Sequence, residues 1–118
     1  MREKPKDRGR LLHMLDSIAN INEFLTDKTA EDFLSDKLLY FAIVKNMEII
    51  GEAAYMLTNE FKESNPHIDW KEIIAMRHIL VHGYYHIDSR IVWKSIKQDL
   101  PKLKEDLEKL NAKLLEDN

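Results

Sequence analysis

Apolar side chains recur along this chain at intervals of three and four residues, the period of one helix face, and no segment alternates with the period of a strand. Leu11, Met14, Leu15, Ile18, Ile21 and Leu25 line one face of a first helix. It is expected to be regular from about Asp7 or Arg8, after a charged leader that frays over residues 1–7. Thr26-Asp27-Lys28 interrupts the pattern. Thr29 or Ser35 can cap the next helix, and Asp32, three residues after Thr29, makes that position a relative of the capping box. A second and longest helix is predicted over residues 30–59. Its buried side is Phe33, Leu34, Leu38, Phe41, Val44, Met47, Ile50, Ala54 and Leu57, with Tyr40, Ile43 and Ile49 widening the arc. An arc that wide predicts a central helix touching several neighbours. Gly51 in its middle is unfavourable by ~1 kcal/mol against Ala, so another backbone is expected to approach closely there.

Asn65-Pro66 marks a loop. Asp69 with Glu72 three residues later is a helix-start signature, so a third helix begins near Trp70. Its stripe is Trp70, Ile73, Ile74, Leu80 and Val81, and Gly83 is the expected C-terminal stop. Asp88 or Ser89 starts a short fourth helix carrying Ile91, Val92, Trp93 and Ile96. Pro101 is tolerated only in a first turn, so a fifth helix begins around Asp99 or Leu100. Leu100, Leu103, Leu107, Leu110 and Leu114 give it a narrow seam suited to one groove. The fold class expected is all-α: one domain over residues 1–118, an up-and-down bundle of four main helices plus a short one.

Composition agrees with this and removes several functions. The chain has 118 residues, 44% apolar and 33% charged, with three glycines and three prolines, which suits one core with long solvated faces. It has no cysteine, hence no disulfide framework and no thiolate chemistry. No apolar run approaches the ~18 residues of a membrane span and no signal-peptide core follows the charged start, so a soluble cytoplasmic protein without a membrane partner is expected. The formal charge of −3 argues against nonspecific coating of nucleic acid. Locally the balance reverses: between His67 and Lys97 stand five Lys/Arg, three Asp/Glu and four of the five histidines.

Within that stretch, Arg77 interrupts the apolar stripe of the third helix. A guanidinium keeps its charge, so it needs an anion, a ligand or a partner subunit. The plain account is a snorkelling side chain, or an ion pair with Glu48 or Glu52, which share a face of the second helix at i,i+4. The plain account of His82 is a cation complementing a helix C-terminus, and that of Tyr84 and Tyr85 a pair of half-buried aromatics under a loop. His78 and His82 are the one i,i+4 histidine pair, and with no Cys or Glu beside them no closed metal site is expected. Glu48 and Glu52 suit a solvated edge better than an acid–base pair.

Arg77 and His82 together can nevertheless cleave RNA, whose 2′-hydroxyl is a built-in nucleophile. The reaction needs a base, a cation for the phosphorane and an acid for the leaving oxygen. An imidazole serves as base or acid and arginine clamps a phosphate bidentately, without metal or cofactor. Positions 77 and 82 lie about 140° apart around a helix, so a two-fold axis past this helix end would be needed to gather base and acid in one cleft.

Arg77, four residues, His82, one residue, Tyr84 resembles the R-x4-H-x-Y signature of the HEPN ribonuclease toxins of HepT type. His78 fills the place of the polar residue, commonly Asn, that follows the Arg in the wider HEPN superfamily. Three further stretches resemble the same family in order: Glu48-Ile49-Ile50-Gly51-Glu52-Ala53, Ile68-Asp69-Trp70-Lys71-Glu72-Ile73, and Val92-Trp93 with Asp99-Leu100-Pro101. The likeness covers residues 7–113. It implies a homodimeric, metal-independent endoribonuclease acting on RNA, with Arg77 and His82 from both subunits catalytic, His78 orienting substrate or sharing in proton transfer, and Glu48 and Glu52 in support. It also implies a toxin–antitoxin partner, a minimal nucleotidyltransferase that transfers AMP to Tyr84 and silences the nuclease. The alternative from another class is a non-catalytic helical subunit that docks a nucleotidyltransferase and merely keeps the motif.

Overall fold

In the computed structural model, residues 3–83 and 87–116 are described, with side chains from Lys6 onward, and they form helices and turns without a strand. The helices are α1 (Glu3–Phe24), α2 (Ala30–Ser35), α3 (Lys37–Met56), α4 (Asn59–Ser64), α5 (Trp70–Gly83), α6 (Ser89–Gln98) and α7 (Leu100–Glu116). The protein is all-α, as its periodicity requires. α3 is the central helix, packed along α1 on one side and α5 on the other; α7 lies against α1 and α6, and α2 bridges α3 to α6.

The first helix buries the face its sequence spells out. Leu11, Met14, Ile18, Ile21 and Leu25 are in the core, with Leu15 packed at its edge. Against them α3 sets Ile43, Val44, Met47, Ile50 and Ala54, and α7 sets Leu100, Leu107 and Leu110. The break after α1 is carried by Asp27, whose φ of 61° is the left-handed conformation that short polar residues tolerate best after glycine. Thr29 then caps α2 in a complete capping box: its hydroxyl accepts from the Asp32 N–H and its own N–H donates to the Asp32 carboxylate.

The single helix expected over residues 30–59 is instead two, α2 and α3, and its last residue already begins α4. Asp36 is extended (φ −103°, ψ 103°), ends α2 and accepts from the Leu39 N–H to start α3. Leu57 is extended as well, and Thr58 starts α4 by accepting from the Phe61 N–H. Each break comes from a side chain that offers the backbone N–H an alternative to the helix ladder. Phe33 is buried, as expected, against Tyr40 and Trp93, with ring centroids 5.5 and 5.4 Å away. Leu34, Leu38, Phe41 and Ile49, expected in the core, are exposed, Leu38 to 82%. α4 has too few residues to show a period.

The first helix is also tied down near its start. Asp7 is buried and accepts from the Thr58 N–H at 2.9 Å and the Thr58 hydroxyl at 2.7 Å, joining α1 to the corner between α3 and α4. Gly83 is the last residue of α5, and no described glycine has a positive φ, so the left-handed glycine stop expected there is absent.

Candidate active site

The site is built on α5, and α5 is held at its start. Asp69 accepts from the Glu72 N–H at 3.1 Å, and the buried Trp70 donates its indole N–H to the Asn65 carbonyl at 3.0 Å. The Trp70 ring also meets Phe61, 6.2 Å between centroids. These contacts set the rotation of the helix, and Arg77, two turns beyond Trp70, therefore faces α3.

Where Arg77 meets α3 stands Gly51. A Cβ there would collide with the Cβ of Arg77 and lie 3.2 Å from its Cα. The close approach expected from a mid-helix glycine is thus made by the backbone that carries Arg77. Glu52, the next residue, takes the guanidinium: its Oε2 lies 2.6 Å from Nε. Of the two carboxylates expected to pair with Arg77, Glu52 does so and Glu48 does not. The guanidinium carbon also lies over the Tyr55 ring, 5.9 Å from its centroid, a cation–π contact. Arg77 remains 30% exposed and Glu52 49%. No hydrogen bond among the described residues engages the two terminal nitrogens of Arg77.

Arg77 lines a cleft of about 380 Å³ with Glu48 and Glu52 together with Arg10, His13 and Lys45. The last three were not singled out by the sequence. Arg10 and His13 are one turn apart on α1, and Lys45 shares a stripe with Glu48 and Glu52 on α3, but only the packing of α1 on α3 brings them to Arg77. His82 does not line this cleft; Val81 does. His82 is exposed beside His78, with ring centroids 4.5 Å apart and planes inclined at 55°. Within one chain, therefore, the structure brings Arg77 to Glu52 and His78 to His82, but does not join the two pairs. Tyr84, Tyr85 and His86 lie outside the described residues.

The profile of a family described as ribonuclease HepT-like matches residues 14–110. The chain belongs to the HepT-like ribonuclease family. It is 42% identical over 107 residues to "Probable ribonuclease HepT" of Thermococcus cleftensis, an alignment covering 91% of this chain and 97% of that protein. A Methanocaldococcus jannaschii protein named as a candidate RNase is 38% identical over 98 residues, covering 83% of this chain and 90% of that one. A second protein of that organism, named as a gamma-glutamylcyclotransferase and candidate RNase, is 44% identical over 104 residues. That alignment takes 88% of this chain and 47% of the longer protein, so the chain spans about half its length. No solved structure matches the chain at a significant level. No described helix of this HepT-like chain is long and apolar enough to cross a membrane.

Proposed function

We propose that this HepT-like chain is a metal-independent endoribonuclease, the toxin of a toxin–antitoxin module. The RNA 2′-hydroxyl, losing its proton to a base, attacks the adjacent phosphorus, and the 5′-oxygen leaves as an acid protonates it. His82 is the base or the acid. Arg77 holds the phosphate and neutralises the charge that grows on it. His78, one turn before His82 and in ring contact with it, orients the substrate or shares in proton transfer. The observation that carries the reading is the place of Arg77: its guanidinium, paired with Glu52 at Nε, stands on the wall of an open cleft and makes no hydrogen bond among the described residues through its terminal nitrogens.

Since Arg77 and His82 face apart in one chain, the working site is formed by a homodimer in which Arg77 meets the partner's His82. Ile79 and Val81 on α5 and Ile49 on α3, all exposed, are apolar surface that such a dimer would cover. The antitoxin is a minimal nucleotidyltransferase that adenylylates Tyr84. A phosphate placed there repels the substrate phosphate and blocks the cleft. The Arg77–Glu52 pair is the observation that favours a second reading, a non-catalytic subunit that docks the nucleotidyltransferase, because the arginine already has an anion.

A cleavage assay on RNA with chelator present, comparing wild type with His82→Ala, separates the two. Cleavage by wild type and its loss in the variant support the nuclease; equal, absent activity in both favours the docking subunit. Light scattering showing a monomer at micromolar concentration would count against the shared cleft. AMP on Tyr85 alone, by peptide mass spectrometry after co-expression with the antitoxin, would remove Tyr84 from the scheme.

A further inference from the structure

Arg10, His13 and Lys45 converge on the Arg77 cleft from two helices, and none of them takes part in an ion pair or hydrogen bond among the described residues. Glu48, half-buried in the same cleft, takes part in none either. Arg77 and Glu52 neutralise one another. What remains of fixed charge along the walls is Arg10 and Lys45 against Glu48, a local excess of one positive charge. The chain as a whole carries −3, so this cleft is a positive depression on a negative molecule. A depression of that kind draws an anion toward it. Its volume suits a group of nucleotide size.

We infer that Arg10, His13 and Lys45 form a subsite for the RNA backbone, holding the phosphates next to the one clamped by Arg77. The inference rests on the ribonuclease reading above. Contacts of this type are made to phosphate oxygens rather than base edges, so they fix where the strand lies without selecting its sequence. They also offer a chain of net negative charge a local place to hold RNA, beside Arg77. Arg10 and His13 on α1 extend that cleft away from α5, which fixes the direction in which a bound strand leaves the reacting phosphate.

The test separates binding from cleavage. Binding of a short fluorescein-labelled single strand of RNA is followed by anisotropy over a range of salt, using the full-length His82→Ala protein so that the strand survives. For single strands the slope of log K against log salt is about −0.7 per phosphate neutralised. Adding Arg10→Ala and Lys45→Ala is expected to flatten that slope by about 1.4, two contacts at about 0.7 each. Affinity should fall by a similar factor for several unrelated sequences, and Lys45→Glu should weaken it further than Lys45→Ala. In the protein with His82 intact, the double substitution should raise KM more than it lowers kcat, with an unchanged circular dichroism spectrum. An unchanged slope, a loss confined to one sequence, or no RNA binding by the His82→Ala protein would overturn the subsite. A wild type that binds RNA yet cleaves none overturns the ribonuclease reading instead, whereas a wild type that cleaves while the double variant keeps its slope overturns the subsite alone.

Discussion

Two of the polar contacts between helices in this protein differ in their surroundings. In one, Asp7 is 4% exposed, and both its oxygens are engaged by Thr58, whose hydroxyl in turn accepts from the Phe61 N–H. In the other, Arg77 is paired with Glu52 through Nε and lines an open cleft. A buried carboxylate with its acceptors occupied by the fold can only stabilise. A half-exposed guanidinium with donors to spare can still bind something. The glycine facing Arg77 sharpens the contrast. Gly51 lets two backbones approach closely, which holds the arginine root in place.

Substitutions at the two contacts should therefore separate stability from activity. The largest effect is expected from Arg77→Ala and His82→Ala, each lowering the cleavage rate by about 10²–10³, or 3–4 kcal/mol of transition-state stabilisation. Their melting temperatures should change little, because an ion pair as exposed as Arg77–Glu52 contributes at most about 1 kcal/mol. Wild-type rates in these variants would reduce Arg77 to the structural role that Asp7 has.

Asp7→Ala should do the opposite. It leaves the Thr58 N–H without its acceptor and should cost about 1–3 kcal/mol in denaturant unfolding, with cleavage per folded molecule unchanged. Between the two lies Gly51→Ala, which gains about 1 kcal/mol in helix propensity but forces α3 from α5 against a Cβ that cannot move aside, an overpacking cost of about 1–3 kcal/mol. Stability and cleavage should fall together. A more stable, fully active Gly51→Ala protein would mean that the close approach does not position Arg77.

The smallest effect is one of pH, at a contact remote from both. The Asp32 carboxyl is held below its ordinary value of 3.8, first by the hydrogen bond from the Thr29 backbone N–H and then by the Thr29 side chain. A carboxyl lowered in the folded state contributes stability that is fully present above that ordinary value and is lost as pH falls through the lowered one. Asp32→Asn should flatten stability slightly in that acid window and leave the neutral range to the capping contacts that remain, as followed by thermal melts across pH.

The sequence by itself determined whatever depends on neighbours along the chain. The three-four spacing of Leu11, Met14, Ile18 and Ile21 dictates the buried side of α1, and that of Leu100, Leu107 and Leu110 the seam of α7. Thr29, Asp69 and Asp88 act as helix starts because a short side-chain oxygen reaches the N–H two or three residues on. Gly51 was legible too, since a helix rarely bears a mid-helix glycine without a close neighbour. Tertiary structure alone decided what depends on residues far apart. Asp36 can cap α3 only by ending α2, and Leu34 and Leu38 on either side of that break are left outside. The choice of Glu52 over Glu48 follows from which rotation of α3 lets Gly51 accept the backbone of α5. Arg10, His13 and Lys45 meet Arg77 only because α1 and α5 lie on α3 together, and a helical period records which way a side chain faces, not what it will find there.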